Sequence, residues 1–329
     1  MRFDNLDVIV PTYNRAKYLR IALQAILSST ADWRKTIVLN NASTDNTLEV
    51  VQEIQKEFPD RIVEVVTNPV NVGNAGNFKR TQEIAENEYT AVFHDDDVIH
   101  PEYIERAMHI LTKNPSMVYA GGGAIAFYNC SNDNWPPMNG NYILYPSENN
   151  AFIQMLVCRP NFCTAIYKTS AYKRTVYHPE IYGKLHDIPF LADIGLLGDC
   201  IYFPEICVRW RQHPGSDSNT LSTGPFPEET LNVLSRLNEL TSKGTLKRRI
   251  LSKVLLYNFS YFLYGWAKLE RFCTWEEFKE QLYAANVFKP WQISLMVKNI
   301  NFCNKIVAKK ARKYWALTSR QESYRICDQ

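Results

Sequence analysis

Over the first hundred residues, apolar runs of two different periods take turns, and this alternation narrows the possible architectures more than any other feature. "LDVIV" (6–10), "KTIVLN" (35–40), "RIVEVVTN" (61–68) and "YTAVFH" (89–94) are short apolar runs of strand length. Between them, "KYLRIALQAIL" (17–27), "NTLEVVQEIQKEF" (46–58) and "NFKRTQEIAEN" (77–87) repeat apolar residues every three to four positions, as helices do. Asp45 stands where it opens the second helix, and Pro59 closes it. Strands alternating with helices of about 10–15 residues predict βαβ units. The expected class is therefore α/β, a doubly wound, mostly parallel sheet with helices on both faces.

In such sheets ligands bind beyond the carboxyl ends of the strands. The most polar loops of this half stand at those ends: Pro11 to Arg15, Asn40 to Asp45, Asn68 to Asn77, and His94 to Asp97. Capping and turn formation explain some Thr, Asn, Ser and Asp, but four polar loops on one edge favour a ligand site. Neither GxGxxG nor GxxxxGK[ST] is present, and "GNAGN" (73–77) is too short a glycine signal to replace them. Phosphate chemistry then falls to the acidic loop "HDDD", and carboxylates approach phosphate through a metal. Hard oxygen ligands at a strand end suit Mg²⁺ or Mn²⁺ bridging a diphosphate.

Composition adds an asymmetry. Residues 241–329 carry 17 Lys and Arg against 6 Asp and Glu, a net +11. With +3 for the whole chain, the first 240 residues stand at −8. A boundary near "GPFPEET" (224–230) follows, separating residues 1–225 from a basic helical region at 226–329. The eight cysteines show no CxxC pair and read as buried thiols of a reducing compartment. No apolar window reaches the roughly 18 residues of a membrane span, and the N-terminus lacks a signal-peptide pattern. The expected location is cytoplasmic, or peripheral on the inner face of the cell membrane. Basic helices such as "KRRILSKVLLYNFSYFLYGWAKL" and "NKIVAKKARKYWAL" suit an anionic membrane surface, or a solvated face packed on the rest of the protein. No nucleic-acid motif accompanies the charge.

Taken in order, "VIVPTYNRAKYLRIALQAIL", "NNASTDNT", "NPVNVGNAGNFKRTQEIAENEYTAVFHDDDVIHPEYIERA" and, more weakly, "HDIPFLADIGLLGDCIYFPEICVRWRQH" resemble the inverting glycosyltransferases of family 2, with the GT-A fold. The resemblance covers about residues 5–215. It implies transfer of a sugar from a nucleotide-diphosphate sugar, usually a UDP-sugar, to an acceptor hydroxyl, with a divalent metal and inversion at the anomeric carbon. Carried over by position, it places Pro11, Thr12, Tyr13 and Arg15 near the base, with Tyr13 offering an aromatic face to uracil. Asn41 stands where the family commonly has an aspartate that accepts from uracil N3–H, so dTDP and GDP stay open as alternatives. Asn77 and Arg80 match polar positions on the nucleotide side.

"HDDD" matches the family's DxD-type motif, with Asp95 facing the ribose, Asp96 on the metal, and Asp97 on the metal or beside it. His213, in "RQH", matches a histidine that reaches metal or diphosphate, and Arg211 a phosphate contact. Asp187 stands at the position of the general base, with Asp193 and Asp199 as competitors, while His186 replaces the acid that often precedes the base. Residues 117–225 correspond to the acceptor side, where Trp135 and nearby tyrosines offer faces to a saccharide or lipid-linked acceptor. A nucleotidyltransferase making sugar nucleotides shares sheet and carboxylates but wants a Gly-rich basic loop where this chain has "PTYNRAKY". A non-catalytic binding protein keeping the fold is the other alternative.

Overall fold

The structure, a computed structural model, describes residues 1–128, 134–147, 162–213, 226–242, 245–269, 274–292 and 294. Strands β1 (Arg2–Thr12), β2 (Asp32–Asn40), β3 (Val63–Thr67) and β4 (Tyr89–Val92) alternate with helices α1 (Ala16–Leu27), α2 (Thr47–Glu57) and α3 (Gly73–Ile84). Then follow β5 (Val98–Ile99), α4 (Tyr103–Lys113), β6 (Met117–Phe127), β7 (Ile143–Tyr145), β8 (Ala165–Lys168) and β9 (Asp199–Arg211). The sheet runs β3-β2-β1-β4-β8-β6-β9-β5, with β7 alongside β9.

The first four strands are parallel, as the βαβ reading requires. Beyond β4 the sheet turns mixed: β8 runs antiparallel to β4 and β6, β9 parallel to β6, and β5 antiparallel to β9. Burial explains the near-continuous apolar strands. Leu6, Val8, Ile9 and Val10 of β1 are all buried, so both faces of that strand are covered. Leu19, Leu23 and Ile26 of α1, Val50, Val51 and Ile54 of α2, and Ile104, Met108 and Leu111 of α4 supply that cover at helical spacing.

One local reading needs correction. The third helix begins at Gly73 rather than near Asn77, so "GNAGN" is its first turn and not a loop. Gly73 adopts φ 77°, a left-handed conformation that glycine enters without a Cβ penalty. "YAGGGAIAF" forms most of β6, a largely buried strand. Its register against β9 shifts at Gly122–Gly123 and Gly123–Ala124. A Cβ on Gly123 would stand 2.5 Å from the Glu205 carbonyl oxygen, so close approach of the two backbones explains the glycine there.

Two compact units are distinguishable. The first comprises Met1–Leu144, Asn161–Val176 and Gly198–His213; the second comprises Tyr145–Pro160, Tyr177–Leu197 and Pro214–Gln329. The second contains the helices Asp187–Leu197, Phe226–Leu240, Leu246–Leu269 and Trp275–Ala284. Val233, Leu234, Leu237, Leu255, Leu256, Phe278 and Leu282 are buried within it. Its last described helix is opened by a reciprocal capping box between Thr274 and Glu277. "NKIVAKKARKYWAL" lies outside the described residues. Among the described residues, no helix is long and apolar enough to cross a membrane.

Candidate active site

The four polar loops do share the carboxyl edge of β1, β2, β3 and β4, and asparagines join three of them. Asn14, at φ 51°, accepts from Thr44 N at 2.7 Å, while its own N–H donates to Ser43 Oγ at 3.0 Å. Asn40 Oδ1 accepts from Ser43 N at 3.0 Å. The Asn41 amide donates to Asn71 Oδ1 (2.8 Å) and Gly73 O (3.2 Å), and accepts from Asn68 Nδ2 (2.9 Å) and Val72 N (3.0 Å). Two donors and two lone pairs are the whole capacity of that amide. Asn41 therefore latches the second loop to the third and has no hydrogen bond left for a base in this arrangement.

Asn77 belongs to the same latch, accepting from Asn68 Nδ2 at 3.0 Å. Arg80 lies on the exposed face of α3, paired with Glu83 at 2.5 Å. Asp45 closes the first turns of two helices at once, accepting from Ala16 N at 3.0 Å and Thr47 N at 3.1 Å. Its capping role is thus confirmed, with Asn46 rather than Asp45 at the N-cap position of α2. Pro11 lies in register with Leu39 of β2, and Tyr13 is exposed beside it.

At the end of β4 the three aspartates are buried. Arg15 Nη1 donates to Asp95 Oδ1 at 3.1 Å and to Asp96 Oδ2 at 3.0 Å. His213 Nε2 lies 3.0 Å from Asp96 Oδ2, and its ring stacks on Tyr18 at 4.4 Å. Asp97 is held on both oxygens: Arg211 N reaches Oδ1 at 3.1 Å, while His94 Nδ1 (3.1 Å) and Thr164 Oγ1 (3.3 Å) reach Oδ2. Thr164 adopts φ 65°, unusual for a β-branched residue, and its backbone N–H donates to Val92 O at 2.6 Å. Arg211 is buried between Tyr18 and Phe127, donating Nε–H to the Asp96 carbonyl at 2.8 Å. Through that bond it supports the acidic loop.

These partners split the titration of the adjacent acids. Burial pushes the Asp95 carboxyl up to about 6, with Arg15 opposing and the Asp96 charge adding to the rise. Burial works against Asp96 too, but His94, Arg15 and His213 hold it below the ordinary carboxylate range. Three carboxylates thus stand against two guanidiniums, Arg15 and Arg211, before any histidine is protonated.

Room for a cation was tested on the side chains themselves. His94, Asp96 and Asp97 bring ligand atoms within 4.8 Å of one another. Thr12 Oγ1 and Asp95 Oδ2 are buried and make no well-formed hydrogen bond to other groups, and the Thr12 hydroxyl lies close enough to favour the Asp95 carboxylate. Oxygen donors with one imidazole and a surplus of negative charge fit a hard divalent ion. Of the residues the sequence singled out for metal, Asp96 and Asp97 fall in this group, and His213 stands outside it, against Asp96. His94, Tyr18 and Thr164 were missed. His94 adjoins the acidic run, and that adjacency was the available signal, whereas Thr164 is distant in sequence and carried none.

Asp187 lies in the second unit, half-buried in the first turn of Asp187–Leu197. The preceding His186 is fixed by Tyr177, whose hydroxyl meets Nε2, and by the Gly183 carbonyl, 2.5 Å from Nδ1. Asp193 is ion-paired with Arg236 at 2.6 Å, and Asp199 accepts from Ser116 Oγ at 3.0 Å.

Comparison with known proteins agrees with this geometry. Residues 7–178 match the family described as Glycosyl transferase family 2. An uncharacterized glycosyltransferase of Haemophilus influenzae is 26% identical over 229 residues, covering 65% of this chain and 67% of that protein. Other curated relatives match over shorter stretches, 32% of the length of one from Nostoc sp. and 33% of one from Mycoplasma pneumoniae. Crystal structures of Staphylococcus aureus TarS superpose on the fold, the complex of its residues 1–349 with UDP-GlcNAc at TM-score 0.62 and 18% identity, covering 97% of this chain and 92% of that one. The Pyrobaculum calidifontis mannosyltransferase PcManGT with GDP-Man and Mn²⁺ reaches TM-score 0.53 at 15% identity, covering 96% and 86%.

Proposed function

Since the chain belongs to glycosyl transferase family 2 and is a glycosyltransferase, we propose that it is an inverting, metal-dependent enzyme using a nucleotide-diphosphate sugar, with UDP as the favoured carrier. The observation that carries this reading is the buried Asp95–Asp96–Asp97 cluster with its surplus of negative charge, where His94, Asp96 and Asp97 bring ligand atoms within 4.8 Å of one another. TarS with UDP-GlcNAc and PcManGT with GDP-Man and Mn²⁺ support the donor class, and the alternative of a nucleotidyltransferase falls with the family assignment.

In this reading Asp96 and Asp97, with His94 and His213 beside them, would hold Mn²⁺ or Mg²⁺, and Asp95 would face the ribose. When bound, the ion offsets the charge that grows on the diphosphate as the sugar departs. Tyr13 stacks on the base, and Pro11 and Thr12 line its edge. Arg15 reaches toward the phosphates, and Arg80, on α3, would contact the nucleotide from the side of the third loop. Asn41 and Asn77 act as positioning residues by fixing the loops. Asp187 takes the proton of the acceptor hydroxyl, so that the alkoxide forms as it attacks the anomeric carbon. Residues 1–225 are the catalytic part, and 226–329 a basic helical region that meets the inner membrane face, where a saccharide or lipid-linked acceptor is presented.

Calorimetry tests the donor half of this reading. UDP is expected to bind with Mn²⁺ and to lose most of its affinity in EDTA, and Asp96→Ala is expected to remove that difference along with turnover. UDP binding equally well in EDTA would overturn the metal assignment.

A further inference from the structure

The acidic cluster already carries a cation of the protein's own. One nitrogen, Arg15 Nη1, bridges Asp95 Oδ1 and Asp96 Oδ2 at 3.1 and 3.0 Å. A metal drawn to the same carboxylates has to compete with that N–H. The side chains differ in freedom: Arg15 is 26% exposed, whereas Asp95 and Asp96 are 5% and 9% exposed. The aspartates are fixed in place, and the guanidinium stands at the mouth with water on one side.

We infer that Arg15 is a counter-cation that holds Asp95 and Asp96 closed to metal until a diphosphate draws it away, so that metal and nucleotide bind synergistically. The inference rests on the donor reading above for its second half only. Its physical basis is the exchange of one anion for another. Leaving a buried carboxylate unpaired is costly, so Arg15 cannot simply withdraw, and an arriving metal has to take over its charge. A guanidinium in turn loses less by leaving if another planar or tetrahedral oxyanion awaits it, and its fork matches phosphate as well as carboxylate. The diphosphate supplies that partner at the moment the metal replaces Arg15 on the aspartates. Binding linkage then requires each ligand to tighten the other by the same factor, and Arg15 contributes to that factor.

The arrangement predicts a gain on removal of a buried-site charge, which a purely supportive arginine would not give. Mn²⁺ alone is titrated into the full chain and followed by electron paramagnetic resonance of the free ion, for the wild type, Arg15→Met, Arg15→Gln and Arg15→Lys. Each titration is repeated with saturating UDP. Without nucleotide, Arg15→Met and Arg15→Gln are expected to bind Mn²⁺ about ten-fold tighter, the scale of one screened ion pair removed from competition. Arg15→Lys, which keeps the charge, is expected to stay near the wild type. UDP is expected to tighten Mn²⁺ in the wild type by a larger factor than in either neutral variant. Unchanged or weaker Mn²⁺ binding in both folded neutral variants overturns the inference, as does equal UDP enhancement in all four proteins. Failure of UDP to bind the wild type in the presence of Mn²⁺ overturns the donor reading instead, and the nucleotide-free titration still decides whether Arg15 competes with metal.

Discussion

Replacing Asn41 with aspartate changes one amide NH₂ to oxygen and leaves the shape of the side chain nearly intact. The two bonds accepted from Asn68 Nδ2 and Val72 N survive, while the two donated to Asn71 Oδ1 and Gly73 O are lost. Each lost bond is worth about 1 kcal/mol net, and in each case an acceptor is left facing a carboxylate oxygen. Because this edge is only partly buried, water recovers some of the loss, and about 2 kcal/mol is the expected cost, roughly 30-fold in the local opening equilibrium. Hydrogen exchange read by mass spectrometry on peptides spanning residues 68–76 measures that opening directly. The Val72 and Gly73 amides, bonded to Asn41 Oδ1 and Asn71 Oδ1, are the reporters. UDP affinity is expected to fall in parallel, because the turn leading into α3, the helix that bears Asn77 and Arg80, loses its anchor. Exchange within two-fold of the wild type would refute the latch. So would a gain in UDP affinity, the result expected if this position reads the base directly as an aspartate would.

Asp187→Asn is expected to leave UDP affinity within a few-fold and to cut turnover on the order of 10²–10⁴, the scale of a lost general base. Near-normal turnover in a steady-state assay would move the role to another acid. Lys253 is partly buried, and desolvation, with Arg249 adding, pushes its pKa down to about 8 from the model-peptide value of 10.5. A depressed lysine weakens the fold while charged in both states, below pH 8, and that penalty fades as pH rises from 8 to 10.5. Lys253→Met should therefore raise the melting temperature more at pH 7 than at pH 10, and equal shifts would contradict the assignment. The +11 over residues 241–329 predicts sedimentation with anionic but not neutral liposomes, released by salt as the Debye length shortens. Equal sedimentation with both would remove the electrostatic case for a membrane-bound acceptor.

Period and strand-end polarity made the first half of the sheet legible, because β1, β2 and β4 bury both faces along most of their length and α1 and α2 each bury one stripe. The turn from parallel to mixed pairing after β4 was not legible. β8 joins β4 from more than seventy residues away, through Thr90–Tyr167 and Ala91–Ile166, and nothing within either strand announces its partner. The same limit applied to side chains at the site. Residue type singled out "HDDD" as chemistry, but three adjacent aspartates are distinguished only by what approaches them. Arg15 and His213 come to Asp96, and Thr164, His94 and the Arg211 backbone close around Asp97.

Asn41 makes the converse point. Its chemistry is compatible with a pyrimidine edge, and position alone assigned it there. What redirects that assignment is saturation: four neighbours, three of them within residues 71–73 and the fourth Asn68, use every donor and lone pair the amide has. An aspartate at the same place has no N–H to donate and so cannot make two of those four bonds. The asparagine is accordingly explained by the loop it holds, and under the proposed donor reading discrimination among bases would fall to groups that still have capacity, beginning with the exposed Tyr13. Stacking on a tyrosine ring accepts any base, so a donor site built this way is expected to tell UDP from GDP less sharply than one with an aspartate on the uracil edge.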